Sequence, residues 1–421
     1  MTKILSLLLG LLFIISGREE DGFEIVLRPE SDSLMTVTIR NAINLCAEKG
    51  GGTVRFTPGV YKSGTIELRD NITLVLEEGA LIKGSDSYAD YENDAFIFGK
   101  DLKDISVKGS GEIDGVNCFN PDGEEGFRGP HCLRLINCSN IELKDFTIRN
   151  SANWAVNCRY CSFGNVTNVT ILGGHDGLHT RFCDNFTVKD CDFRTGDDAF
   201  AGNDNRDFHI SGCLVNTSCN GFRLGCVNLK VEKCKLWRPG EYMHKIQKRN
   251  NMLTAFVHFS PKDQKPQLKS ANWQVSDITV DNVDIFYMYN FNNGLWQTGQ
   301  PASDIRFDNI KATGLLRAFY IDGRKDSLFS LTIKRSAFTF REGDEGPGPT
   351  FEGARLSSDK FFFATGFSQL KLDRVTFKKK DPGPVMVCEN GRSVVMNKVK
   401  FPGTEGDLGV SLREILQKEE N

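Results

Sequence analysis

One spacing recurs through the middle of the chain and limits what it can fold into. Cys138, Cys161 and Cys183 lie 23 and 22 residues apart, and Asn205 and Cys226 continue the series at 22 and 21. Eight residues after each stands a second set: Phe146, Val169, Cys191, Cys213 and Cys234. Two columns in one register define a repeating unit of about 22 residues. Within each unit, apolar and polar residues alternate in short segments, "IELKDFTI", "NVTNVTI", "FTVKDCDF", "FHISGCLV" and "LKVEKCKL". A period of two with no helical stretch between argues short strands. Three such strands in a unit of this length make one coil of a right-handed parallel β-helix, with coils stacked about 4.8 Å apart.

The same phrase returns downstream as "DITVDNVDI", "DIRFDNIKA", "SLTIKRSAF", "LKLDRVTF" and "VVMNKVKF". The expected fold is therefore all-β, one solenoid over residues 53–402. Its open apolar ends need covers. Upstream, in an N-terminal segment 18–52, Leu34 to Lys49 carries apolar positions at Val37, Ile39, Ala42, Ile43, Leu45 and Cys46, an amphipathic capping helix just before "GGG". Residues 403–421, with "GVSLREILQKEEN", are expected to form a C-terminal cap or tail. At the other extreme, "MTKILSLLLGLLFIISG" (residues 1–17) has the lysine, apolar run and small residues of a secretory signal peptide and is too short to span a bilayer. A buried N-terminal helix is the alternative. The expected location is secreted or periplasmic, with no membrane span.

Thirteen cysteines in an exported chain would ordinarily suggest disulfides, and an odd count leaves one unpaired. The repeat instead assigns most of them to the interior as small apolar residues. Adjacent coils bring Cα atoms within bridging range, so a disulfide along a column stays open. A column of Asn140, Asn185 and Asn228, interrupted by Phe163 and Asp207, reads as a structural turn ladder. The net charge of −3 provides no basic face, so no nucleic-acid partner is expected. The expected state is a monomer.

Three aspartates fall into the same register. One coil back from Asp198 lies Asp176, and one coil forward lies Asn220; the neighbouring column reads His175, Asp197, Cys219. Like charges stacked on successive coils repel, and burying them without partners costs several kcal/mol each. A turn has many uncharged alternatives. The cluster therefore reads as chemistry at the edge of an outward-facing groove, where mutual repulsion raises at least one carboxyl pKa toward the range a general acid needs.

The order "NSANWAVNCRYC", "VTILGGHDGLH", "CDFRTGDDAFAG" and "SCNGFRLG" resembles glycoside hydrolase family 28, the polygalacturonase family of pectin-degrading parallel β-helix enzymes. The resemblance covers roughly residues 34–402 and is strongest from 132 to 226. The family's Asn-Thr-Asp and Gly/Gln-Asp-Asp are matched at Asp176 and at Asp197 and Asp198. Its Gly-His-Gly falls on Cys219, Asn220 and Gly221, without a histidine, and the nearest counterpart of its Arg-Ile-Lys is Lys245, Ile246 and Gln247.

The resemblance implies hydrolysis of a glycosidic bond with inversion, with Asp197 as general acid and Asp176 and Asp198 as the base pair that activates water. His175, His179, Arg181, Asn220, Arg223 and Lys245 are the candidates for holding substrate. The two departures imply an acidic, pectin-like poly- or oligosaccharide other than plain polygalacturonic acid. Neither a cofactor nor a metal is expected, since no His/Cys cluster has ligand spacing. A β-helix polysaccharide lyase and a non-catalytic carbohydrate-binding β-helix are the rival readings. The insertion from about Glu241 to Trp273 and the aromatic run 286–296 are expected to shape the ends of the cleft.

Overall fold

The computed structural model describes residues 14–15, 22–30, 33–291, 298–326, 329–341, 350–351, 354–355, 361–378, 385–401 and 410–420. Strands pair in parallel, each with its counterpart one coil away, along the whole described solenoid. One wall shows the rule. Leu133–Ile136 lies on Val156–Arg159, which lies on Leu178–Arg181, which lies on the start of Phe200–Ser211. Each residue thus sits about 4.8 Å above its counterpart, in the register that the cysteine spacing predicts.

Alternation within each strand sends every second side chain inward. Phe200, Phe222 and Phe256 stack along the axis with centroids 4.7 and 4.8 Å apart and nearly parallel rings. All thirteen cysteines are buried free thiols. Those of the first column point their sulfurs at backbone carbonyls, as Cys161 does to Leu135 O and Cys183 to Cys158 O, both at 3.4 Å. Small apolar filling, and not cross-linking, is their role.

The N-terminal cover is a helix over Thr36–Glu48 that buries Ile39, Ala42, Ile43 and Cys46 against the first coil. Val37, expected on the apolar face, is exposed. The ladder begins earlier than expected, because Glu24–Leu27 already pairs in parallel with Gly52–Phe56. It also ends later. Val410–Arg413 and Gln417–Glu420 pair in parallel with Met386–Glu389 and Ser393–Asn397, so this segment extends the coils where a cap or tail was expected. The signal-like segment 1–17 lies outside the described residues apart from Ile14–Ile15, which pair antiparallel with Ile25 and Val26. Residues 292–297 of the aromatic run lie outside them too.

The turn ladder is built on left-handed backbone. Asn140, Phe163, Asn185, Asp207 and Asn228 have φ of 55°, 55°, 56°, 56° and 58°. Asparagine and aspartate tolerate this region, and Asn140 and Asn228 also donate from Nδ2 to the aspartates below, Asp104 and Asp207, at 2.9 and 2.6 Å. Phe163 has neither advantage, and the residue is 58% exposed. Phe163→Asn should therefore stabilise the fold by about 1 kcal/mol, seen as a higher urea midpoint at unchanged slope. A lower midpoint would show that the exposed ring contributes more than its backbone costs.

Candidate active site

Register brings the three aspartates together. Their backbones are locked: Gly177 N donates to Asp198 O at 2.8 Å and Asp197 N to His175 O at 3.3 Å, across successive coils. One carboxylate oxygen from each of Asp176, Asp197 and Asp198 lies within 4.8 Å of the others. The carbonyl of Asp197 is gripped by hydroxyls from Thr195, at 2.6 Å, and Thr217. Gly196 precedes the pair because a Cβ there would stand 2.7 Å from Gly174 O and 3.1 Å from Met243 O. The cluster lies against a cleft of about 420 Å³ whose lining includes Asp176, Asp197, His179, Arg181, Arg223, Trp154 and Arg128.

Each carboxylate has a different environment. Asp198 is 1% exposed and fully engaged: Oδ1 accepts from Asn220 N and Nδ2, at 3.2 and 2.6 Å, and Oδ2 from Arg223 Nε. Arg223 is in turn stacked over Phe259, 3.9 Å from the ring centre. Asp197 alone has appreciable access, its side chain 17% exposed. Its Oδ1 accepts from Asp198 N at 3.0 Å, and its Oδ2 faces His244 Nε2 at 3.5 Å and Arg128 at 4.0 Å. Asp176 is 2% exposed, with Oδ2 at 2.7 Å from His179 Nδ1. The His179 ring lies flat on Trp154, centroids 3.6 Å apart.

These surroundings separate the acidities. Burial, then the charges of Asp197 and Asp198, push Asp176 well above the ordinary carboxyl range. Burial would raise Asp197 as well, but the His244 hydrogen bond and the neighbouring positive groups outweigh it and hold Asp197 below that range. Burial, reinforced by Arg223, pushes His179 down and keeps it neutral. With both partners neutral, the Asp176 carboxyl donates to His179 Nδ1. The imidazole then carries its hydrogen on Nε2. Within the trio these surroundings favour the proton on Asp176 and the charge on Asp197.

Of the expected substrate contacts, His179, Arg181 and Arg223 line the cleft. The other three do not. His175 is buried against Phe127, 5.7 Å between rings, and burial pushes it down to about 2. Asn220 is fully buried, and its side chain bridges Asp198 and Thr254. It positions the Asp198 carboxylate. Lys245 donates to Asn117 Oδ1 at 2.7 Å and to Ser151 O at 3.4 Å, tying the 238–253 loop, which holds the first part of the expected insertion, to residues outside the cleft.

Two residues at the site were not read from the sequence. Arg128, on the 115–130 loop, is held by Glu125 and reaches toward Asp197. His244 sits one residue before Lys245 in the quoted "YMHKIQKRN", and it arrives from the insertion, which has no register to align. Its Nδ1 accepts the backbone N–H groups of Ile246 and Gln247 at 3.2 and 3.1 Å, which leaves the hydrogen on Nε2, aimed at Asp197. That tautomer also bears on metals. Asp197, Cys219 and His244 could bring donor atoms within 4.8 Å, but Nε2 carries a hydrogen and burial pushes the Cys219 thiol up. In the all-aspartate group, Asp198 has both oxygens committed. Neither group is arranged to grip a cation.

Residues 47–230 match the model of glycosyl hydrolases family 28. Over 203 residues the chain is 25% identical to a probable polygalacturonase of Vitis vinifera, a stretch that is 41% of each protein. The chain therefore aligns with about two fifths of that relative's length. The family 28 exopolygalacturonase of Yersinia enterocolitica shares the fold, with a TM-score of 0.58 at 14% identity over 94% of this chain and 78% of that one. So does the polygalacturonase of Erwinia carotovora, at 0.53 and 16% over 89% and 98%. The matched stretch contains all three aspartates and the coils that align them, so the similarity to glycosyl hydrolases family 28 covers the whole of the candidate site.

Proposed function

We propose that the protein hydrolyses a glycosidic bond in an acidic, pectin-like poly- or oligosaccharide. The observation that carries this reading is the carboxylate trio on adjacent coils, two of whose members, Asp176 and Asp197, line the cleft. A merely structural turn would gain nothing from three aspartates that repel one another and require an arginine, a histidine and a proton to be tolerated.

In the proposed reaction Asp197 gives its proton to the leaving oxygen, and Asp176 with Asp198 holds the attacking water. The resting proton stands on Asp176, so binding must move it. A sugar covering Asp197 strips water from that charge and raises its affinity for a proton, so the proton of Asp176 passes to Asp197 and leaves Asp176 ionised to take one from the attacking water. The cluster then titrates as a unit, and pH–rate pKa values belong to the trio. Family resemblance favours inversion. The separation within 4.8 Å is shorter than the roughly 6.5–9.5 Å usual between an inverting pair, so the anomer of the first product, read by NMR, is the decisive stereochemical observation. An ultraviolet-absorbing unsaturated product would replace hydrolysis by elimination. A signal at residues 1–17 would place the reaction outside the cytoplasm, where such polysaccharides are met.

The acid role predicts that Asp197→Asn lowers turnover of natural oligosaccharides about 10²–10⁴-fold while leaving binding intact. Nitrophenyl glycosides, whose leaving group needs little protonation, should be spared, whereas Asp176→Asn and Asp198→Asn should slow both substrates alike. Equal losses on both substrates for Asp197→Asn would remove it as the acid.

The resting proton predicts a stability effect. Because Asp176 has a raised carboxyl pKa in the fold, the native state binds more protons than the unfolded chain, and stability is lost as pH rises above the ordinary value of 3.8. Asparagine keeps a donor for His179 Nδ1 without that penalty. Asp176→Asn should therefore raise Tm at pH 7, with the gain vanishing below about pH 4. A lower Tm at pH 7 would mean that Asp176 is ionised there.

A further inference from the structure

The cleft holds more positive charge than its carboxylates require. Arg128 is neutralised by Glu125, Arg223 by Asp198, and Arg134 lies 3.8 Å from Asp94. Two lining arginines, Arg159 and Arg181, have no carboxylate within ion-pair distance among the described residues. They are register partners on successive coils, so their Cα atoms stand about 4.8 Å apart and their side chains leave the same face.

Both are held in place. Arg159 lies over the ring of Tyr160 at 5.3 Å and Arg181 over that of Phe182 at 5.2 Å. Those rings stack on each other, 5.0 Å apart and 9° from parallel. Arg181 also donates from Nη2 to Gln264 O at 2.8 Å. Its Nε is buried without a partner, and so is Oδ1 of Asn203, the next rung of the same column. A donor and an acceptor, both buried and unsatisfied, stand on adjacent rungs beside two uncompensated cations.

We propose that Arg159 and Arg181 form a subsite for one sugar carboxylate, separate from the point of cleavage. This rests on reading the cleft as an oligosaccharide site. Two guanidinium groups one coil apart converge on a single carboxylate more readily than on two, since each presents a planar fork of donors. The strand Leu178–Arg181 that follows Asp176 carries Arg181 on the order of 10 Å along the cleft at ~3.3 Å per residue. The bound uronate is thus not the sugar whose bond breaks at Asp197 but a unit beyond it. The subsite selects a chain with an acid group at that remove and is indifferent to charge at the reacting ring.

The test is calorimetric binding on the Asp197→Asn protein, whose expected turnover, lowered about 10²–10⁴-fold, leaves the probe intact during a titration. The probes are a tetrasaccharide alternating galacturonate with a neutral sugar and the same compound with its carboxyls reduced to alcohols. Arg159→Gln with Arg181→Gln should weaken binding of the acidic probe by about 10- to 100-fold and leave the reduced probe unchanged. Arg159→Gln alone, at the exposed rung, should reproduce part of that loss in a protein with unaltered Tm. Equal weakening of both probes, no weakening, or a parent protein that binds the acidic probe no more tightly than the reduced one would each overturn the subsite. Hydrolysis is read separately with the wild-type protein. Arginine-dependent binding without turnover would uphold the subsite and discard the hydrolase reading.

Discussion

Parallel hydrogen bonding between coils at a constant register is the constraint on which everything else rests. Once each residue must sit on its counterpart about 4.8 Å away, a sequence column becomes a physical stack. The interior columns then select side chains that tolerate a copy of themselves above and below, which is why Phe200, Phe222 and Phe256 lie ring on ring and why Cys138, Cys161 and Cys183 recur. At the outer face the same rule makes neighbours of groups that would otherwise avoid one another. Asp176 and Asp198 stand one coil apart because the ladder allows nothing else, and so do Arg159 and Arg181.

Holding three carboxylates so close requires three different remedies. Asp198 is answered by a full guanidinium and two donors from Asn220. Asp197 is answered by a hydrogen on His244 Nε2, fixed there by two backbone N–H groups behind the ring. Asp176, the deepest against His179, is answered by a proton. The unequal remedies make the trio asymmetric, and that asymmetry distinguishes a reactive cluster from a repetitive surface.

How much of this could be read beforehand followed from whether a residue lies in the ladder. The coil length, the interior cysteines, the turn column and the aspartate register were all legible, because each recurs at the repeat spacing. The left-handed φ at Asn140, Asn185 and Asn228 gives the turn column its physical basis. His244 and Arg128 were not legible, since they come from loops that leave the ladder and return by contacts such as Lys245 with Asn117. Pointing inward or outward was misjudged at His175 and Asn220, which share columns with Asp197 and Asp198 yet are sealed by Phe127 and Thr254. Arg159 drew no notice because an outward arginine on one strand looks like any solvated charge. Only its pairing with Arg181 across coils distinguishes it.

Everything proposed for the trio turns on its carrying a proton at neutral pH, held on Asp176. Carboxyl ¹³C NMR of aspartate-labelled protein, assigned with the single Asn variants and titrated from pH 3 to 9, reads this directly. The account predicts an Asp176 resonance at the protonated position at pH 7 with Asp197 at the ionised one. Three ionised signals at pH 7, or the proton on Asp197, would contradict it.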